Sequence, residues 1–371
     1  MPNDVVRDIS TEVSEERGVK RRSASSNPTV SILMSVYNDA QFIAESMESI
    51  LSQDGPECEF VIVDDAGTDN SSAILDSHSD PRITLIRHDG NRGLAASLNH
   101  GLRYCRGKYI ARQDGDDVSG PGRIRKQVAL LEHHPEIAYL GTGLIVINEQ
   151  GKQGRKYLFP EEPEEIRKQV RNLMTPLAHP TLMFRREALL AVNGYDELFK
   201  KSEDYDLHMR LLARFNASNI REPLVRLRLR GQSMQNSDSS GECLKYALFA
   251  HAKQLAECKL GTLQGSAEQL LLVGISEWFQ QGTLGRCWKA GIDRRMALEK
   301  FVQGQRWLGL IEFVQAVVED PRWVTDFIVH GRRIILTPSM RKQMEAIIDR
   351  VLGKPDPFIA REFEIQPFPY L

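Results

Sequence analysis

Four short apolar runs, each leading into Asn or Asp and separated by stretches of helical spacing, limit most tightly what this chain can fold into. TVSILMSVYN, EFVIV, ITLIRH and KYIARQ lie between residues 29 and 118. Between them fall DAQFIAESMESIL, a stretch through Ile74 and Leu75, and NRGLAASLNHGLRYC. In the first of these Phe42, Ile43, Met47 and Ile50 share one helical face. Strands that alternate with helices need crossover connections, which predicts an α/β fold with a mainly parallel sheet. EFVIV is apolar without alternation, as expected for a strand covered on both faces.

The pattern changes after Gly120-Pro121. RIRKQVALLEHH reads as a helix, AYLGTGLIVIN as a strand, GKQG as a turn and residues 163–172 as a helix. LAHPTLMFRREALLAVNGYDE holds a strand, a helix and a glycine stop. DYDLHMRLLARF is an amphipathic helix with Leu207, Leu211 and Leu212 inward, and PLVRLRLRGQS is a closing strand. From about residue 240 the strand signal fades into successive helices, one carrying Leu244, Ala247, Leu248, Leu255 and Cys258 on one face. The expected organisation is a flexible arm over 1–27 with a solvated Lys20-Arg21-Arg22 cluster, an α/β domain over 28–238, a helical module over 239–353 and an irregular tail over 354–371. Pro355, Pro357, Pro367 and Pro369 forbid a long helix in that tail.

Composition excludes several functions. At 41% hydrophobic and 26% charged, the 371 residues describe a globular chain rather than a disordered or fibrous one. A net charge of −2 offers no global field for a nucleic acid backbone. No run approaches the roughly 18 apolar residues that a membrane span requires, and the first thirty residues lack a leader's apolar core, so a cytoplasmic location is expected. Cys58, Cys105, Cys243, Cys258 and Cys287 are scattered and odd in number, which suggests reduced thiols rather than a disulfide framework or zinc site. Trp323, Phe327, Ile334 and Ile335 beside Arg322, Arg332 and Arg333 read as core aromatics with a basic rim. The alternative, a patch touching anionic lipid at the inner face of the membrane, stays open.

Ligands of open parallel sheets bind beyond the carboxyl ends of the strands. Two such loops carry clustered acids: Asp64-Asp65 after EFVIV, and Asp114, Asp116 and Asp117 after KYIARQ, with Gly115 between them. Packed carboxylates repel one another, and a hard divalent cation that also takes phosphate oxygens would offset the cost. Together the clusters point to a metal and diphosphate site, although Asp is also an ordinary turn residue.

In the order SILMSVYN, VDDAGTDNS, NRGLAASLNHGL, YIARQDGDD, HPTLMFRREALLAVNGYDE and EDYDLHMRL, residues 29–235 closely resemble the family 2 glycosyltransferases of the GT-A fold. The resemblance implies a Rossmann-like, mainly parallel nucleotide-diphospho-sugar transferase domain with a helical C-terminal extension. By similarity, Tyr37 and Asn38 line the nucleotide pocket, Asp65 with Asp64 beside it meets a uracil or thymine edge, and Asn91 and Arg92 lie near base and phosphates. DGDD resembles the DxD-type motif, which assigns Asp114 to ribose or metal water and Asp116 to a Mn²⁺ or Mg²⁺ ion; Asp117 is assigned less firmly. Glu203-Asp204 matches the ED motif, whose second acid is the general base. Helix capping by Asp204 is compatible with that role. His179, next to Pro180, the Gly194-Tyr195-Asp196-Glu197 turn and Glu203 fall on the acceptor side.

One departure stands out. Many members carry Arg-x-His where this chain has Arg228-Leu229-Arg230, so Arg230 replaces a histidine that can assist the metal. Arginine does not ligate metals but pairs with phosphate oxygens, which leaves open how far the chain depends on a metal and how far Arg230 neutralises the diphosphate. The resemblance implies inverting transfer of a sugar from a nucleotide-diphosphate donor, UDP- or dTDP-linked, to a hydroxyl of a glycan or lipid-linked acceptor in surface polysaccharide synthesis. Self-association through the helical module is compatible with it. The competing expectation is a noncatalytic nucleotide-sugar-binding or assembly subunit that works through that module.

Overall fold

A computed structural model describes residues 19–21, 28–230, 242–260, 263, 265–281 and 338–352. The chain divides into two compact units, Met1–Val170 with Met174–Gly231, and Arg171–Leu173 with Gln232–Leu371.

The first unit is built on a ten-stranded sheet. After β1 (Val19–Arg21) come β2 (Val30–Val36), α1 (Ile43–Leu51), β3 (Cys58–Asp64), α2 (Ser71–Ser77), β4 (Ile83–Arg87), α3 (Leu94–Leu102) and β5 (Tyr109–Asp114). β4, β3, β2 and β5 lie side by side in that order, all parallel, with Val30 opposite both Cys58 and Tyr109. All seven residues of β2 are buried, because helices cover both faces. The core joins Ile32, Met34 and Val36 to Ile43, Met47, Phe60, Ile62 and Leu85. Gly101 lets α3 lie close on the sheet: a Cβ there would stand 2.5 Å from Leu33 Cδ1 and 2.9 Å from Val63 Cγ2.

The remaining strands extend the sheet past β5. They are β6 (Val118–Ser119), β7 (Ile137–Ile147), β8 (Gln153–Tyr157), β9 (Met183–Arg185) and β10 (Asn216–Arg228), interspersed with α4 (Arg123–His133), α5 (Pro163–Arg171), α6 (Arg186–Ala191) and α7 (Glu203–Leu212). β9 runs antiparallel between β5 and β7, and β10 pairs parallel with β7 and antiparallel with β6. The sheet is therefore mainly parallel from β4 to β5 and mixed beyond it.

Three short strands depart from the sequence reading. Within the expected arm, Val19–Arg21 pairs antiparallel with β4 as an edge strand. Two basic residues out of three give no period-2 signal, yet charged side chains suit an edge. The segment read as a turn at GKQG runs directly into β8, whose five residues are all exposed, so burial imposes no alternation on them. β6 is two residues long, too short to show a pattern. β10 also begins seven residues before the expected PLVRLRLRGQS, with a register irregularity at Pro223, which has no N–H for the ladder.

In the second unit α8 (Glu242–Leu260), α9 (Ser266–Gln281) and α10 (Pro338–Leu352) pack on one another, with Gly274 allowing α9 to approach Val351 and Ile347. Leu244, Ala247 and Leu248 of the expected apolar face are buried and Leu255 is half-buried. Lys253 is also buried and pairs with Glu268 at 2.7 Å. Trp323, Phe327, Ile334, Ile335, Arg322, Arg332, Arg333 and the 354–371 tail lie outside the described residues. No helix among the described residues is long and apolar enough to cross a membrane. Cys58 and Cys105 are free thiols.

Candidate active site

The chain passes from β2 to β3 and β4 on one side and returns to β5 on the other, so the sheet's topological switch lies between β2 and β5. A crevice forms outside the strand ends at such a point. Its walls here are Tyr37-Asn38-Asp39 after β2 and Asp114-Gly115-Asp116-Asp117 after β5. Gly115 permits the approach, since a Cβ on it would stand 2.5 Å from Asp39 Oδ2. The acidic turn is anchored from below: Ser46 donates to the Asp114 carbonyl at 2.8 Å and Gln113 to the Asp117 carbonyl at 2.9 Å.

Two arginines at the end of β10 meet this turn. Arg228 is buried, donates from Nε to the Asp116 carbonyl at 2.9 Å, gives its backbone N–H to Asp117 Oδ1 at 2.8 Å and pairs with Glu45 at 2.6 Å. Arg230 lies 2.6 Å from Asp116 Oδ2 and 2.7 Å from Asp39 Oδ1, and donates to the Asn38 carbonyl at 3.2 Å. Burial pushes the Asp39 carboxyl up to about 6 against the opposing pull of Arg230. Burial and then the Asp114 charge raise Asp116, and the same two causes raise the fully buried Asp117 well above the usual carboxylate range.

The loop after β3 is more self-contained. Asp65 accepts from His88 Nδ1 at 2.7 Å and from the backbone N–H groups of Arg92 and Gly93, both at 2.9 Å. His88 continues to His100 at 2.8 Å. A carboxylate offers about four acceptor positions, so three of these are used within the chain. Asp64 accepts from Ser72 at 2.6 Å, while its Oδ1 is buried without a partner among the described residues. Asn38, at φ 58°, uses its side-chain oxygen to hold the backbone N–H groups of Thr68 and Asp69. It thus ties the two loops together instead of facing outward. Tyr37 is 45% exposed, and Asn91 and Arg92 are exposed at the same sheet edge.

The third cluster gathers around Arg112, a fully buried guanidinium within β5 that pairs with Asp114 Oδ1. Burial disfavours its charge, but Asp114, Tyr195 and Glu203 outweigh that and raise its pKa. Glu203 and Asp204 open α7 after Ser202, which adopts a left-handed backbone conformation. Asp204 Oδ1 accepts the Tyr205 N–H at 2.8 Å, so the acid does serve the helix end, and the residue remains half-exposed. Burial, reinforced by the Asp204 charge, pushes Glu203 up to about 7. His179 is buried and hydrogen-bonded to the Tyr195 hydroxyl at 2.8 Å. Burial, with Arg112 adding to it, pushes the imidazole down to about 3, so it is neutral in ordinary buffers.

The donor set suits a loosely held cation. Among the described residues no three His, Cys, Asp or Glu side chains stand close enough to cage a metal. Asp114 and Asp116 each give one oxygen to an arginine and keep the second. Two carboxylate oxygens fit a hard ion that completes its shell with diphosphate and water.

Asp39 and Arg112 carry no role in the sequence reading, and Arg228 enters it only as the first residue of the Arg-x-His position. Asp39 satisfies the strand-end rule applied to the other two loops. Arg112 is a buried charge in the middle of β5, which demands a partner. Tyr195 belongs to the turn that the resemblance sets beside His179, and its hydroxyl meets that imidazole.

Residues 31–192 match the family described as Glycosyl transferase family 2. The putative glycosyltransferase EpsE of Bacillus subtilis is 41% identical over 210 residues, 55% of this chain and 74% of that protein. The O-antigen biosynthesis glycosyltransferase WbnJ of Escherichia coli is 31% identical over 232 residues, covering 61% and 89%. In three dimensions the chain is similar to S. aureus TarS solved with UDP-GlcNAc, with a TM-score of 0.55 at 16% identity over 80% of this chain and 92% of that one. The mainly parallel sheet with C-terminal helices is thus a GT-A fold, and this chain belongs to glycosyltransferase family 2.

Proposed function

We propose that the protein is an inverting glycosyltransferase that moves a sugar from a UDP- or dTDP-linked donor to a hydroxyl of a glycan or lipid-linked acceptor in surface polysaccharide synthesis. One observation supports this reading: buried Arg112 pairs with Asp114 at the switch point and also feels the charge of Glu203 in the first turn of α7. In this reading the diphosphate pocket and the proton acceptor lie on either side of Arg112. The part WbnJ plays in O-antigen biosynthesis and the UDP-GlcNAc of TarS support the pathway class and the donor class.

In this reading Asp65, with Asp64 beside it, accepts from the pyrimidine N–H through its remaining acceptor position, and Tyr37, Asn38, Asn91 and Arg92 border the nucleotide. Asp114 meets the ribose. A divalent cation, Mn²⁺ or Mg²⁺, held by Asp116 and Asp114 supplies Lewis-acid neutralisation of the leaving diphosphate when bound. Arg230 pairs with the same phosphate oxygens. Asp204 takes the proton of the acceptor hydroxyl as that oxygen attacks the anomeric carbon. The bond to the diphosphate breaks on the opposite face, and the configuration inverts. Glu203, which burial pushes up to about 7, and neutral His179 line the acceptor side beside Asp204. The reaction is placed in the cytoplasm, at the inner face of the membrane when the acceptor is lipid-linked.

The test is a binding panel of UDP-, dTDP- and GDP-sugars with Mn²⁺ or Mg²⁺. Binding of the pyrimidine nucleotides, lost in Asp65→Ala, is expected. Preference for GDP-sugars, or pyrimidine binding that Asp65→Ala leaves intact, contradicts the reading.

A further inference from the structure

We propose that Arg230 is a resident counter-cation of the acidic turn, clamped between Asp39 and Asp116, that competes with a divalent metal for Asp116, and that Asp39 is the positioning residue that fixes it there. The proposal rests on the donor-site reading above for what the metal and the guanidinium serve.

Three observations carry it. The guanidinium touches both carboxylates at 2.6 and 2.7 Å while also donating to the Asn38 carbonyl, so the strand-end loops of β2 and β5 are bridged by a side chain from the end of β10. All three side chains are shielded: Arg230 is 28% exposed, Asp116 15% and Asp39 6%. Finally, Asp39 has little room to retreat. Its Oδ2 packs on Gly115, where even a Cβ would overlap, and its backbone N–H is held by the Ser71 hydroxyl at 2.9 Å.

A metal approaching Asp116 therefore meets a positive charge already at one oxygen. Like charges at this distance in a half-buried site oppose each other strongly. The ion must share Asp116 with Arg230 or displace it toward the diphosphate, while Asp39 keeps the guanidinium within the crevice. Removing the guanidinium should make Asp116 a better metal ligand, and removing Asp39 should loosen the grip of Arg230 on a diphosphate.

The experiment titrates Mn²⁺ alone into the nucleotide-free full chain, following free Mn²⁺ by electron paramagnetic resonance. Arg230→Gln is expected to bind Mn²⁺ about tenfold or more tightly than wild type, the size of effect a unit charge in contact exerts on a carboxylate. Arg230→Lys, which keeps the charge, is expected to stay near wild type. Equal or weaker Mn²⁺ binding by Arg230→Gln overturns the competition. In EDTA, UDP binding is expected to fall in Arg230→Gln and in Asp39→Asn, with the double variant no weaker than Arg230→Gln, since Asp39 acts through Arg230. Additive losses overturn the positioning role. If wild type binds neither UDP nor dTDP, the donor reading fails, while the Mn²⁺ arm still decides the competition.

Discussion

At Glu203 and Asp204 two acids adjoin at the first turn of one helix, and their environments separate them. Glu203 is buried and pushed up to about 7, whereas Asp204 is half-exposed. A carboxyl whose folded pKa lies above its unfolded value holds its proton more tightly when folded, so its ionisation costs stability as pH rises from about 4.5 to about 7. Glu203→Gln removes that cost. Its stability relative to wild type is expected to rise by on the order of 1–3 kcal/mol between about pH 5 and about pH 8, read from thermal or urea unfolding at each pH. A pH-independent difference would refute the burial of an ionisable Glu203. The motif residues around this site were legible because they stand at strand and helix ends in a recognisable order. Their partners were less so. Asp39 was read as the start of a helix, and nothing local in SVYND says that Arg230, some 190 residues later, closes on it.

Among the elements, those legible in the sequence were the ones whose burial writes a pattern. EFVIV and the helix with Met47 and Ile50 inward are held by the core, and their residue types follow from it. β1, β6 and β8 escaped because strands of two to five residues, exposed or at an edge, answer to backbone pairing alone. Close packing within the legible part is also testable. Gly101→Ala on α3 forces a Cβ to within 2.5 Å of Leu33. Overpacking of this kind costs roughly 1–3 kcal/mol, expected as a lower unfolding midpoint in urea. An unchanged midpoint would show that α3 lies farther from the sheet than described.

On the scale of the whole molecule, the family match over residues 31–192 falls in the first unit apart from Arg171–Leu173, and every residue proposed for a role lies in that unit. The three described helices of the second unit form a packed group with their own buried ion pair. In the proposed reaction the sheet-edge acids bind a nucleotide sugar while Asp204 performs the proton transfer, so binding and turnover should separate on mutation. The most direct test measures donor affinity and donor turnover side by side for wild type, Asp116→Ala and Asp204→Asn. Asp116→Ala is expected to weaken metal-assisted donor binding. Asp204→Asn is expected to keep donor affinity within a few-fold while turnover falls about 100- to 10,000-fold, the range for loss of a general base. Turnover unchanged in Asp204→Asn would contradict the account.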